Sequence, residues 1–298
     1  MREIYQKQTD LVLSILPLIQ HEDFALKGGT AINFFYREIP RLSVDIDLTY
    51  LPLRNRQTSF DEIHTYLGWV QKILRSKGIE CTSDHHLDGK RECKLVASAD
   101  SSNVKIEPNF ILRGAVEPAE KRQLSSYSGR AEFSSGINCL SFHDVYGGKL
   151  CAALSRKHPR DLFDVDVLLA NEGISSRLKD VFLFYLISSP KPFIELLDPN
   201  WMPIDKVFRQ YFLGMSDRNI SADSLEKTFF SLKDSLRSVV KGDDIRFLIS
   251  LLNLENNWDL SPLGNLEKYP AVKWRLFNLK KMDKFKREVE IAKLERWI

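Results

Sequence analysis

The sequence predicts an α+β protein, a mixed sheet flanked by helices followed by an all-helical carboxy-terminal domain, and three observations predict it. Segments in the first part of the chain switch between the alternation of half-buried strands and the three-to-four spacing of helices. In the last part apolar residues recur at helical spacing alone. Between the two, Ser188-Ser189-Pro190-Lys191-Pro192 has the composition of a joint rather than of an element. The domains are placed at 1–175 and 176–298.

Taken in order, Ile4, Leu11, Ile15 and Leu18 mark a helix, and Phe24 to Leu26 a short strand. Lys27-Gly28-Gly29-Thr30 interrupts, a helix resumes over Ala31 to Tyr36, and Val44 to Tyr50 alternates as a strand. Ser59-Phe60-Asp61-Glu62 has the form of a capping box and opens a helix that Gly78 closes. Short strands follow near Ile79 to Ser83, Glu92 to Ala97, Val104 to Phe110 and Ile137 to Leu140. A helix runs from Phe142 to Leu154, and another starts with Pro159 in its first turn and ends at Gly173. The later helices centre on Phe229 to Val239, Ile245 to Leu252 and Trp274 to Leu279.

Composition narrows the function classes. A chain of 298 residues buries an ample core without disulfides, and its four scattered cysteines, Cys81, Cys93, Cys139 and Cys151, form no CxxC pair. Apolar runs such as Val181 to Ile187 fall short of the roughly 20 residues that cross a bilayer. The charged amino terminus MREIYQKQTD is unlike a signal peptide, so a cytoplasmic protein without membrane attachment is expected. Net charge is only +3, but from Lys273 onward nine basic residues face four acidic ones. With Trp274 and Phe277 interleaved, that tail reads either as a solvated helix or as a strip for a phosphate backbone.

The chemistry concentrates in one constellation. Alternation along a strand sends Asp45 and Asp47 to one face while Ile46 and Leu48 bury the other. Adjacent carboxylates repel, and Mg²⁺ (or Mn²⁺) is the hard ion that one or two carboxylates plus substrate phosphates commonly hold. Just upstream, Gly28 and Gly29 permit a tight turn whose N–H groups and following helix attract phosphate, and Thr30 has a hydroxyl to donate. On the strand Val104-Lys105-Ile106-Glu107, Glu107 faces away from the apolar side and is positioned as a third metal ligand or as the group that orients or deprotonates an attacking hydroxyl. Lys149 supplies a point charge for a triphosphate, and Asp161 and Asp164, three apart on one helix face, are placed to position Lys149, Arg156 or the nucleotide.

Lys27-Gly28-Gly29-Thr30-Ala31, Arg41-Leu42-Ser43-Val44-Asp45-Ile46-Asp47-Leu48, Lys149 and Arg160-Asp161-Leu162-Phe163-Asp164 together resemble the AbiEii nucleotidyltransferase toxins, relatives of the MenT toxins. The resemblance spans Phe24 to Leu169, and Tyr269 to Leu276 is similar to the helical end of that family. It implies a polymerase β-like core, an NTP donor, a Mg²⁺ cofactor, and nucleotide contacts from Lys27, Gly28, Gly29, Thr30, Ser43, Lys149 and Arg156. It further implies transfer to the 3′ end of tRNA, a consequent block of translation, and an antitoxin as cognate partner. Thr30 stands where many members have serine.

Each feature alone has a plainer reading: a glycine turn, a solvated acidic strand face, or, for Asp161 and Asp164, acidic groups favouring the start of a helix. His85-His86 and His158 lack a third ligand at suitable spacing and are assigned to the surface. Two alternatives remain open at this level: transfer to a protein hydroxyl, and a nucleotide- or partner-binding module without turnover.

Overall fold

The computed structural model describes residues 2–85, 93–124 and 136–297. Helix α1 (Glu3–Ile15) gives way to a 3₁₀ turn over Leu16–Ile19, where Pro17 withholds the N–H that a continuing helix needs. Strand β1 (Phe24–Lys27) leads directly into α2 (Gly28–Ala31) and a π-helical turn over Ile32–Tyr36. The helix thus opens at the glycines, three residues earlier than periodicity placed it. Strand β2 (Asp45–Tyr50) and helix α3 (Arg56–Ser76) follow.

The start of α3 corrects the sequence reading. Asn55, not Ser59, is the cap, and its side chain accepts from the Thr58 N–H at 3.0 Å. Ser59 is buried inside the helix and donates to the Arg54 carbonyl, while Glu62 is engaged by Tyr50 and Arg54. The capping-box pattern was present but its acid found stronger partners across the fold. At the other end Gly78, at φ +76°, reverses the chain as expected.

Strands β3 (Glu80–His85), β4 (Cys93–Ala99), β5 (Ser102–Asn109), β6 (Glu120–Arg122) and β7 (Ile137–Cys139) complete a seven-stranded mixed sheet in the order β3-β4-β5-β2-β1-β7-β6. Strand β2 is central, antiparallel to β1 and parallel to β5. Ile46, Leu48, Val104 and Ile106 are buried, with α1 packed on β5 and α3 on β3 and β4. Of the strand expected from Glu92, the first residue lies outside the described residues, and β6, three polar residues long, has no sequence signal.

The remaining elements are helices: α4 (Phe142–Arg156), α5 (Pro159–Asn171), α6 (Ser176–Ile187), α7 (Phe193–Leu197), α8 (Asp205–Tyr211), α9 (Ala222–Val239), α10 (Asp243–Leu252), α11 (Pro270–Lys281) and α12 (Lys284–Glu295). Helix α6 escaped periodicity because Val181 to Ile187 are all buried, leaving no polar stripe to reveal a period.

The chain divides into two compact units, Met1–Val145 with Leu213–Asn219, and Tyr146–Phe212 with Ile220–Ile298. The sequence reading places the boundary at residue 175; the two compact units part within α4. In the first unit the returning segment is bonded tightly: the Arg2 N–H donates to the Gly214 carbonyl at 2.8 Å, the Leu42 N–H to the Met215 carbonyl at 2.7 Å, and the Ser216 hydroxyl to the Pro40 carbonyl at 2.8 Å. Among the described residues no helix is long and apolar enough to cross a membrane.

Candidate active site

In the first unit the site begins where β1 ends. Gly28 adopts φ +69°, a left-handed conformation that only glycine enters freely, and a Cβ there would be driven into the Asp47 carboxylate. The acid therefore lies directly against the turn. A Cβ on Gly29 would meet the Arg41 guanidinium at 2.5 Å and the Ser43 hydroxyl at 3.0 Å. Arg41 is 1% exposed and donates to the Leu42 carbonyl at 2.9 Å, so a buried cation underlies the glycine turn. Asn33 closes the first helical turn by donating to the Gly29 carbonyl at 2.8 Å.

Strand register assembles the acids. Lys27 pairs with Asp47, Asp47 with Glu107 and Asp45 with Lys105, so Lys27, Asp47 and Glu107 form one row across three strands on a single face. Asp45, Asp47 and Glu107 are half-buried. Burial first, then the charges of Asp47 and Asp45, raise the Glu107 pKa against the opposing pull of Lys105 and Lys94. The Lys94 ammonium lies 4.0 Å from the Glu107 carboxylate. Among the described residues no three His, Cys, Asp or Glu side chains are gathered into a metal-holding group. The chain offers the Asp45–Asp47 pair, with Glu107 beside it.

Thr30 and Ser43 occupy supporting positions. Thr30 is 1% exposed, and its hydroxyl contacts the Asp45 carbonyl at 2.5 Å and the Ser43 hydroxyl at 2.9 Å. A hydroxyl has one proton, and the carbonyl can only accept it, so Ser43 donates to Thr30. The expectation that the Thr30 hydroxyl reaches a phosphate is corrected: its proton is spent inside the fold, tying the glycine turn to the acidic strand. Ser43 is buried as well, and its carbonyl accepts from the Thr9 hydroxyl at 3.3 Å.

In the second unit Lys149, only 6% exposed, is held by Asp161 at 2.8 Å and by Asp164 at 2.9 Å. Arg156 grips the same Asp161 with two nitrogens, at 2.5 and 3.1 Å, while its side chain stays 64% exposed. Burial raises the Asp161 pKa, but Lys149 and Arg156 outweigh it and leave the group well below the usual carboxylate range. Asp161 and Asp164 are buried ion partners of α4, not solvated groups at a helix start. The start of α5 is capped instead by His158, whose Nδ1 accepts the Arg160 N–H at 3.2 Å, so this histidine is structural; His86 lies outside the described residues.

Sequence reasoning quoted Arg41 but assigned it no role, because nothing in its spacing signals a buried guanidinium. It missed the segment Leu213–Asn219 altogether. Cys81 and Cys139 are buried, and burial pushes the Cys139 thiol up to about 12. In the carboxy-terminal tail Trp274 and Phe277 are exposed and stacked at 5.8 Å, and the Lys281 ammonium sits 4.1 Å from the Phe277 ring centre.

A mixed sheet whose central strand carries Asp-x-Asp against a glycine turn defines a nucleotidyltransferase class of protein. The family model described as "Nucleotidyl transferase AbiEii toxin, Type IV TA system" matches residues 13–246, and the chain belongs to that family. Among solved structures it is similar to MenT4, a nucleotidyltransferase toxin of Mycobacterium tuberculosis H37Rv, with a TM-score of 0.61 and 13% identity over 92% of this chain and 93% of that one. No curated protein sequence matches it.

Proposed function

We propose that this protein transfers a nucleoside monophosphate from an NTP to an acceptor hydroxyl, the 3′ end of tRNA, and so blocks translation. The observation that carries the reading is the contact of the Asp47 carboxylate with the Gly28 turn on the face shared with Asp45. Two half-buried carboxylates on one strand face suit a hard divalent ion, and Asp45 and Asp47 would hold Mg²⁺ or Mn²⁺. When bound, that ion supplies charge neutralisation for the triphosphate.

The chain's own groups do the rest. The N–H groups of Gly28 and Gly29 and the Lys27 ammonium bind triphosphate oxygens, while Arg41 and Ser43 hold the turn that presents them. Glu107 accepts the proton of the acceptor hydroxyl as its oxygen bonds to the α-phosphorus; the bond to the β-phosphate breaks and pyrophosphate leaves. Lys149, held by Asp161 and Asp164, and Arg156, held by Asp161, are taken as nucleotide contacts from the family resemblance. A cognate antitoxin is the partner proposed from the family's type IV system.

The test is incubation of the purified chain with each labelled NTP, total RNA and a protein lysate. Label on tRNA, lost on Asp45→Ala and Asp47→Ala, is the expected result. Label confined to protein overturns the acceptor, and growth arrest that survives both substitutions overturns catalysis.

A further inference from the structure

The second unit carries a concentration of charge that the reaction does not use. A cavity of about 590 Å³ is lined by Lys157, Lys191, Arg237, Lys293 and Arg296, with Trp297 at its wall. Glu195 and Asp198 are its acidic lining residues, which leaves a surplus of three positive charges. Asp198 is already bound by Lys233 at 2.7 Å.

Five cations converge here from separate parts of the unit. Lys157 ends α4 in a left-handed conformation, φ +49°, its N–H donated to the Ala153 carbonyl at 3.0 Å. It stands one residue beyond Arg156 and one before the cap of α5. Lys191 lies between α6 and α7 and spends a donor on the neutral Ser155 carbonyl at 2.9 Å. Arg237 comes from α9, Lys293 from α12, and Arg296 from just beyond it. Burial first, then the nearby ammonium groups of Lys191 and Lys233, depress the Lys157 pKa despite Glu195. The aromatic wall is not available for stacking: Trp297 is buried, the Arg237 guanidinium lies 5.2 Å over its ring, and its indole N–H donates to the Val240 carbonyl at 3.2 Å.

We propose that this cavity is a second substrate site, gripping successive phosphates of an RNA backbone by charge and without reading its bases. The inference rests on the acceptor being RNA. A hollow ringed by cations suits a thin, evenly charged chain better than the convex surface of a folded acidic protein, and buried Trp297 leaves charge as the means of recognition. By position in the chain the site adjoins Arg156, which places a phosphate grip next to the ion cluster of α4 and α5.

The test uses the full chain and fluorescein-labelled tRNA whose 3′ end is blocked, so that binding is read without transfer. Lys293 and Arg296 are both exposed, and K293E/R296E changes charge without disturbing packing. Between about 50 and about 200 mM KCl the double variant should bind at least about tenfold more weakly at the low end, and its log Kd against log salt should lose about 2 of slope. K293R/R296K should restore both. Unchanged affinity and slope, no RNA binding by the unaltered chain, or displacement of RNA by polyglutamate at equal charge each overturn the site. Transfer to unblocked tRNA is measured separately. If the chain labels no RNA yet holds blocked tRNA through these residues, the acceptor reading falls and the site stands; if it labels tRNA and K293E/R296E binds like the unaltered chain, the site falls and the acceptor stands.

Discussion

Gly28 combines two demands that no other residue meets together: a left-handed backbone and an absent side chain where the Asp47 carboxylate lies. Gly28→Ala is expected to cost about 1–2 kcal/mol in backbone strain and to displace Asp47, so nucleotide transfer should fall by about two orders of magnitude while circular dichroism reports a folded chain. Unimpaired transfer would show that the turn does not present the acid. Glu107 offers a second check at this scale. Its pKa is raised by burial and then by Asp47 and Asp45, and a proton acceptor must be ionised. Glu107→Gln keeps the shape and removes the proton acceptor, so transfer from labelled NTP should fall by about two orders of magnitude while circular dichroism reports a folded chain.

At the scale of elements, α4 and α5 are joined by the buried group of Lys149, Asp161 and Asp164. Lys149→Met removes the ammonium shared by buried Asp161 and Asp164, leaving Arg156 on Asp161, and a loss of about 3–5 kcal/mol is expected in urea unfolding, against little change for a surface lysine such as Lys105. The pH dependence has a definite sign. Because the folded pKa of Asp161 is depressed, its stabilisation is fully present above the unfolded value of about 3.9 and drains away as the pH falls below it. Asp161→Asn lacks this contribution, so in urea unfolding it should be less stable than the unaltered chain at neutral pH, and its stability should fall less steeply below about pH 4.

For the whole molecule, the interrupted first unit makes a strong statement about folding. Gly214, Met215 and Ser216 bond to Arg2, Leu42 and Pro40, and a Cβ on Gly214 would strike the Arg2 side chain at 2.5 Å. The loop so buttressed runs straight into the acidic strand. A fragment ending at residue 175 lacks these three bonds and should expose the loop, seen as faster proteolysis near Arg41 and Ser43 than in the full chain. Equal protection in the two would show that the returning segment is dispensable.

Much of this was legible in the residues themselves. The glycine turn, the alternation that puts Asp45 and Asp47 on one face, and the pairing of Asp161 with Asp164 on one helix side follow from local geometry, because periods of 2 and 3.6 are set by the backbone alone. The failures were equally local in origin. Helix α6, wholly buried over Val181 to Ile187, shows no period there, and the capping pattern at Ser59 lost its acid to Tyr50 and Arg54. What only the tertiary structure decided is which groups spend their hydrogen bonds and charges on one another. It put Glu107 beside Asp47 through parallel pairing of strands some sixty residues apart, turned Thr30 inward, buried Arg41 under Gly29, and returned Leu213–Asn219 to a unit it had left. Contacts between residues distant in sequence depend on how the chain closes its loops, and no local period encodes that.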